Sequence, residues 1–266
     1  MVHRILIVTA VAAEADSVAA GLDPDTAWEP LALPGGLTLR RHAEGVDLLV
    51  GGVGPAAVAA ATGTALAYAA LADASLADAS LADASLADAS LADATARTPY
   101  DLVVSAGIAG GFAPRAPIGT VVVSEAIVAA DLGADTPDGY LAVEELGFGR
   151  SVHPVPHALT GPLAAALRAA GRPHTVAPVL TVSTVTGTAG RTAELAGRHP
   201  EAAAEAMEGF GVAEAAAAYG VPVVEIRAVS NAVGPRDRSA WRIGEALNSL
   251  RQAFRALGPT LSVEAK

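Results

Sequence analysis

Short apolar runs alternate with helical patterns along most of the chain. The apolar runs are nearly continuous, as in strands covered on both faces, and lie at residues 4–10, 100–106, 119–129, 175–182 and 221–229. Helical patterns lie between them, first from about residue 12 and then at residues 56–70, 161–170, 189–198, 207–219 and 239–257. Two further strand patterns, at residues 37–42 and 46–50, flank Glu44-Gly45 and predict a hairpin.

Strands that alternate with helices predict a three-layer α/β/α sandwich around a mostly parallel or mixed central sheet. The length of 266 residues is enough for one large core, so we expect a single domain over residues 1–266. In such folds ligands bind at the carboxyl ends of the strands. This rule directs attention to residues 9–14, 51–54, 105–111, 183–188 and 230–231.

A pentad repeat interrupts this alternation at residues 71–95, where LADAS occurs four times and LADAT once. Five residues advance a helix by about 500°, so the leucines form no stripe along it. The repeat is a low-complexity insert within the predicted domain, and either a helical extension or a loop agrees with its composition. In both cases it cannot build its own core, and we expect it to have no catalytic part.

The composition narrows the class of partner and the compartment. A net charge of −11 and an isoelectric point near 4.9 repel nucleic acids and anionic lipids, so we expect a small-molecule partner. The first apolar run leads directly into Glu14 and Asp16, unlike a secretory signal. We find no stretch of roughly 20 strongly apolar, uncharged residues that could span a bilayer, and we expect a cytoplasmic protein without membrane contact.

Several cofactor and metal chemistries have no support in the sequence. There is no cysteine, which excludes disulfides, thiolate zinc sites and a cysteine nucleophile. His153 and His157 are four residues apart, but the prolines between them are incompatible with a helix that would align them on a metal. The patterns of nucleotide-phosphate loops and of dinucleotide-binding turns are both missing. We therefore expect no metal and no cofactor.

Two acids lie where a ligand site is expected. Glu14 follows the first strand, although an acid in the first turn of a helix is also favoured by the helix dipole. Glu208 opens an alanine-rich helix that we expect to be buried, where a charge is costly unless it faces a cavity or a partner. A capping role for Glu208 is the alternative.

Polar residues follow the last predicted strand, and glycines follow the strand at residues 100–106. Ser230 and Asn231 end the former, although Ser-Asn is also an ordinary turn pair. Arg236 and Arg238 come next, and an exposed charged loop is the alternative for both. The glycines of residues 107–111 predict a loop in which a flat ligand can approach the backbone.

Four segments, in this order, resemble the superfamily of purine nucleoside phosphorylases and nucleosidases, and especially its hydrolases. They are VTAVAAEAD at residues 8–16, VVSAGIAGGFAP at 103–114, AMEGFGVAEAAAAYGVPVVEIRAVSN at 206–231 and the helical pattern after them. The resemblance covers nearly the whole chain outside the pentad repeat. The combination of an M-E-G helix start with R-x-V-S-N on the next strand is its most specific part.

The resemblance implies roles for these residues. It places Glu14 beside the attacking water, Glu208 at the ribose 2′-hydroxyl and Met207 against the sugar. Ser230 and Asn231 would contact the base. The same resemblance implies a homodimer or a higher homo-oligomer, and it implies that the backbone flanks the purine at Ala109, Gly110, Gly187 and Thr188.

The continuation VGPRDRSAW, at residues 233–241, resembles the futalosine hydrolases of menaquinone biosynthesis. Adenine-releasing relatives carry aspartate where this chain has Asn231. An asparagine amide donates to purine N7 or to a 6-oxo group, which suits hypoxanthine. Futalosine is a hypoxanthine nucleoside with a carboxylated aromatic group beyond its 5′ carbon, and we expect Arg236 or Arg238 to pair with that carboxylate.

Three alternatives stay open at this point. A phosphorylase would need a phosphate site, for which Arg40 and Arg41 are the nearby cationic candidates. A nucleosidase for methylthioadenosine or aminofutalosine would release adenine instead of hypoxanthine. A non-catalytic nucleoside-binding protein could use the same fold, but simple binding gives no reason for an acid at the position of the water.

Overall fold

Strands and helices alternate along the chain as predicted. The computed structural model describes residues 4–25, 27–42, 45–80 and 99–263. The strands are β1 Ile5–Thr9, β2 Glu29–Ala32, β3 Thr38–Arg41, β4 Val46–Val50, β5 Leu102–Gly111, β6 Val121–Ala129, β7 Gly133–Thr136, β8 Gly139–Ala142, β9 Val152–Pro154, β10 His174–Thr181, β11 Ala204–Ala206 and β12 Val223–Ala232. The helices are α1 Ala12–Leu22, α2 Pro55–Ser80, α3 His157–Ala169, α4 Ala189–Arg198, α5 Gly209–Ala218 and α6 Ile243–Val263.

The central sheet is mixed, which confirms the predicted fold class. Its strand order is β11-β10-β6-β12-β5-β1-β4-β3-β2, and β9 pairs with β6 outside this path. Pairs of β1 with β4 and β5, of β5 with β12 and of β6 with β10 are parallel, whereas β12 with β6 and the β2-β3-β4 edge are antiparallel. Because β11 pairs with both β10 and β5, the strands at this end close into a ring.

Helices cover both faces of the sheet because side chains alternate along each strand. Ile5 and Ile7 of β1 share one core cluster with residues of α1, α3 and α6. Leu6 and Val8 point the other way and share a second cluster with residues of α2 and α5. The first strand is therefore buried on both faces, as its continuous apolar run predicts.

The segment at residues 107–111 is strand, where the sequence predicts a loop. β5 continues to Gly111 because β12 pairs with it on one side and β11 on the other. Glycine has a low intrinsic strand preference, but two flanking ladders override it. The short strands β2, β7, β8, β9 and β11 were not predicted, because three or four residues carry too little pattern.

Helix α2 is longer than the pattern at residues 56–70 predicts, and it runs through the first two pentads of the repeat to Ser80. The later pentads lie outside the described residues. Its stretch Pro55–Asp73 is long and apolar enough to cross a membrane, with a mean hydropathy of 1.4 and 39% of it buried in the fold. By length and composition alone this is weak evidence for a membrane span, because a helix packed in a protein core meets the same criteria. Val58, Ala61 and Leu66 of this stretch pack in the core.

Candidate active site

Glu14 lies in the first turn of α1, directly after β1, and its carboxylate points inward. One oxygen, Oε1, accepts the N–H of Ile108 at 2.9 Å, and Oε2 accepts those of Ala10 at 3.0 Å and Val11 at 3.3 Å. The residue is 3% exposed. Burial raises the pKa of Glu14 above its ordinary value and outweighs the opposing effect of Arg227. Glu14 is thus not a solvated acid.

Glu208 is the N-cap residue of α5 and follows β11 after one residue. Its Oε1 accepts the N–H of Gly54 at 3.3 Å, and its Oε2 accepts that of Met207 at 3.3 Å. Gly54 belongs to the loop after β4 and lies 154 residues from Glu208 in sequence, so this bond connects the segments that follow β4 and β11. The carboxylate makes no cap hydrogen bond to its own helix.

Arg227, which the sequence interpretation did not assign to the site, connects the two acids. It lies on β12, is 1% exposed, and its Nη2 is 3.1 Å from Glu208 Oε2. Its Nε donates to Glu225 Oε1 at 2.8 Å. Burial alone would lower the pKa of Arg227, but the carboxylates of Glu225, Glu208 and Glu14 together raise it. The sequence does contain an indication that Arg227 belongs to a site. Glu225 and Arg227 are two charged residues on one face of a strand that is apolar up to Ser230.

Two glycines make this charge cluster possible. A Cβ at Gly107 of β5 would lie 2.6 Å from Glu14 Oε1 and 2.5 Å from an Arg227 nitrogen. A Cβ at Gly209 would collide with the carboxylate of Glu225. The backbone at these positions therefore leaves room for the buried charges.

Ser230 and Asn231 lie in the last three residues of β12. The Ser230 hydroxyl is 2.8 Å from Asn231 Oδ1 and 3.2 Å from the carbonyl oxygen of Ala109. Asn231 Nδ2 donates to the carbonyl of Ala232 at 3.0 Å. An amide nitrogen has two hydrogens, so one remains to meet a ligand.

One cavity of about 370 Å³ brings most of the predicted residues together. They line it together with residues that the sequence analysis did not assign to the site, among them Glu205 and Trp241, and with Thr186 from the predicted strand end at residues 183–188. The predicted residues in its wall are Glu14, Ala109, Gly110, Met207, Glu208, Ser230, Asn231 and Arg236.

Three predicted residues lie outside the described lining of this cavity. Gly187 and Thr188 line an adjacent cleft, which shares Val185 and Thr186 with the cavity. Thr188 is the N-cap residue of α4 and accepts the N–H of Arg191 at 3.2 Å. Arg238 is exposed, and its guanidinium lies over the ring of Trp241, 5.9 Å from its centre.

Within the described ranges, no group of three or more histidine, aspartate or glutamate side chains is arranged to hold a metal ion. His153 Nε2 lies 2.6 Å from Glu214 Oε1, and its ring is tilted against that of Phe210, with the ring centres 5.2 Å apart. The carboxylates around the cavity are held by Arg227 and by backbone N–H groups. Such a site can present anionic groups to a positively charged transition state.

The fold and this arrangement of acids at the strand ends define a class of protein. Residues 4–261 match the family model of the phosphorylase superfamily. The chain belongs to this superfamily.

Curated relatives narrow the class. The chain is 54% identical to a futalosine hydrolase of Streptomyces coelicolor, over 97% of this chain and 96% of the relative. It is 46% identical to a futalosine hydrolase of Acidothermus cellulolyticus, over 95% and 89% of the two chains. Within the superfamily, the chain belongs to the futalosine hydrolase family, and it is an enzyme.

Solved structures agree with the fold. A futalosine hydrolase of Helicobacter pylori superposes with a TM-score of 0.73 at 15% identity and covers 98% of this chain and 99% of its own. A methylthioadenosine/S-adenosylhomocysteine nucleosidase of Colwellia psychrerythraea, solved in complex with adenine, superposes with a TM-score of 0.69 at 20% identity, over 97% and 96% of the chains.

Proposed function

We propose that this enzyme hydrolyses the N-glycosidic bond of futalosine and releases hypoxanthine and dehypoxanthine futalosine, a step of menaquinone biosynthesis. One observation carries the proposal: Glu14, Glu208 and Asn231 line a single cavity, although they are far apart in sequence. The identity to curated futalosine hydrolases supports the choice of substrate.

The carboxylates of Glu14 and Glu208 are suited to act on the ribose of the substrate. Cleavage of an N-glycosidic bond passes through a cationic ribosyl group, which nearby carboxylates stabilise. Glu208 accepts the ribose 2′-hydroxyl, and Met207 packs on the sugar. Glu14 accepts a proton from the attacking water, and its raised pKa brings it closer to the range of an efficient general base at neutral pH. Arg227 forms an ion pair with Glu208, and backbone N–H groups hold Glu14 in place.

The polar groups at the end of β12 are suited to bind the purine that leaves. Electrons flow into the purine as the bond breaks, so a donor at N7 or O6 stabilises the leaving group. Asn231 supplies this donor through its remaining amide hydrogen, while Ser230 fixes the orientation of the amide. The backbone at Ala109 and Gly110 forms the surface on which the ring lies.

Arg236 is our candidate for the carboxylate of the 5′ substituent. It lines the cavity beside Trp241 and Val233, which offer an apolar wall to an aromatic ring. Arg238 is the weaker candidate because it lies outside that lining. We expect Arg236→Ala to lower kcat/KM for futalosine by about 10- to 100-fold, the range of a hydrogen bond to a charged group. Arg238→Ala is the matched control, and wild-type kcat/KM in both variants would refute the assignment.

Water, rather than phosphate, is the attacking group in this proposal. Arg40 is paired with Asp16 at 2.6 Å and Arg41 with Asp47 at 3.2 Å, and neither lines the cavity. Among the described residues of the cavity wall, Arg236 is the single cation. A convergent phosphate site would need more positive charge than this.

Identification of the released base tests the proposal. Futalosine, aminofutalosine, methylthioadenosine and inosine are incubated with the enzyme in phosphate-free buffer, and the products are separated by chromatography. We expect hypoxanthine from futalosine without added phosphate. A requirement for phosphate would favour a phosphorylase, preferential release of adenine would favour the adenine nucleosidases, and tight hypoxanthine binding without turnover would favour a binding protein.

We also propose that the enzyme is cytoplasmic and forms a homodimer or a higher homo-oligomer. The acidic charge supports the compartment, and the family supports the homo-oligomer. Light scattering coupled to size-exclusion chromatography should give at least twice the mass of 26.3 kDa. A monomer mass at micromolar concentration would contradict the proposed homo-oligomer.

A further inference from the structure

We propose that Glu205 determines the specificity for the base by accepting the N1–H of a 6-oxopurine. This inference rests on the proposed function, because it assigns Glu205 to a second polar edge of the purine that the enzyme is proposed to release. Glu205 lies on β11, is buried and lines the cavity.

The register of three neighbouring strands places Glu205 opposite Asn231. Gly110 of β5 pairs with Asn231 of β12 on one side and with Glu205 of β11 on the other. Residues paired across strands share a face of the sheet, and adjacent strands are about 4.8 Å apart. The backbones of Glu205 and Asn231 are therefore about 10 Å apart, with Gly110 between them.

Gly110 leaves the space between these two side chains open. A Cβ at this position would lie 3.0 Å from Val233 Cγ2 and 3.3 Å from Asn231 Nδ2, so a larger residue would crowd the amide of Asn231. The result is a flat floor with a polar side chain at each end, and its width suits a planar heterocycle. All three residues belong to the wall of the one cavity.

The surroundings of Glu205 make it a hydrogen-bond acceptor. Its Oε1 accepts the N–H of Thr186 at 2.9 Å, and its Oε2 accepts the Thr186 hydroxyl. A carboxylate offers about four acceptor positions, so two remain for a ligand. Among the described residues, no cation forms an ion pair with Glu205, and burial raises the pKa of this carboxyl despite Thr186 and the more distant Arg191, because a buried charge is costly. A donor on the ligand would offset that cost.

The chemistry of the base gives this acceptor its selectivity. Position N1 of a 6-oxopurine carries a hydrogen, whereas N1 of a 6-aminopurine carries a lone pair. A carboxylate attracts the first and repels the second. Asn231 donates to N7 or O6 at the other edge, so the two side chains together recognise the donor and acceptor pattern of hypoxanthine.

Glu205→Gln tests this role, because the amide keeps the shape of the side chain and loses the charged acceptor. We expect the ratio of kcat/KM for futalosine to kcat/KM for aminofutalosine, its 6-amino counterpart, to fall by about 10- to 100-fold. By calorimetry, free hypoxanthine should bind the variant more weakly by a similar factor. Wild-type enzyme should bind 1-methylhypoxanthine, which has no N1–H, at least 10-fold more weakly than hypoxanthine.

Glu201→Gln is the matched control, because Glu201 is an exposed acid near β11 outside the described cavity wall. It should leave the substrate ratio unchanged. If Glu205→Gln lowers kcat/KM equally for both substrates, or leaves hypoxanthine binding unchanged, Glu205 only anchors Thr186 and the inference is wrong. If the wild-type enzyme releases no hypoxanthine from futalosine, the proposed function fails, while the binding of free bases still tests Glu205.

Discussion

At the scale of single residues, the site depends on a buried cluster of three carboxylates around one guanidinium. Arg227 contacts Glu225 and Glu208 directly, and Glu14 adds to its electrostatic environment. Buried acids without a counterion would take up protons instead of staying charged. Arg227 opposes this effect at Glu14 and Glu225, although burial is the larger effect and raises the pKa of both.

The pH dependence of activity should report Glu14. A general base acts when deprotonated, so kcat/KM for futalosine should fall as the pH drops through the pKa of Glu14, above the ordinary range for glutamate because burial raises it. Glu14→Gln should lower kcat/KM by about 10²- to 10⁴-fold and remove this acid limb. An unchanged acid limb in the variant would assign it to another group.

Arg227→Met should destabilise the fold strongly. Removal of one partner from a buried ion pair leaves uncompensated charge and costs about 3–5 kcal/mol. Urea denaturation measures this loss in the free energy of unfolding. Arg115→Met is the matched control, since Arg115 forms an exposed pair with Glu201 and should cost no more than about 1 kcal/mol. Similar small losses in both variants would contradict the counterion role.

At the scale of elements, β5 brings the two halves of the site together. It pairs with β1, which precedes Glu14, with β12, which carries Arg227 and Asn231, and with β11, which precedes Glu208. Its glycines are needed because other segments occupy the space beside its backbone, including Glu14 and Arg227 at Gly107 and the backbone of Ala116 at Gly111.

Gly107→Ala should damage the site, whereas Gly63→Ala should not. The new methyl group at position 107 would press on Glu14 and Arg227, which we expect to cost about 1–3 kcal/mol of stability and to lower kcat/KM more than 10-fold. Gly63 lies in α2 with open space around it, so alanine there should stabilise by about 0.5–1 kcal/mol. Urea denaturation and steady-state kinetics measure both effects, and equal behaviour of the two variants would refute the distinction.

The pentad repeat should be dispensable for catalysis. The described wall of the cavity is built from residues on the β1, β4, β5, β10, β11 and β12 sides of the fold, all outside the repeat. Deletion of residues 81–90, which are two whole pentads, should leave kcat/KM for futalosine unchanged. A fall of 10-fold or more, with an unchanged far-ultraviolet circular dichroism spectrum, would show that the repeat contributes to the site.

At the scale of the whole molecule, the cavity exists only in the folded state, because its walls come from segments as far apart as Glu14 and Trp241. A ligand that binds only the folded state stabilises it, by about 2.7 kcal/mol at one hundred times Kd. Hypoxanthine at this concentration should raise Tm by roughly 5 °C or more. Adenine at the same concentration should raise it less, and an equal shift would contradict selectivity for the 6-oxo base.

The sequence by itself determined the fold class, the presence of the long strands and helices, and the strand ends at which the cavity lies. Continuous apolar runs indicate strands that are buried on both faces. At the ends of such strands, side chains such as Glu14 and Asn231 enter a cleft. The tertiary structure alone decided which of those residues meet. The extension of β5, the closure of the sheet by β11, the placement of Arg227 between the acids and the pairing of Glu205 with Gly110 all depend on contacts between distant strands. No local pattern encodes such contacts, because strand register is fixed by packing across the whole sheet.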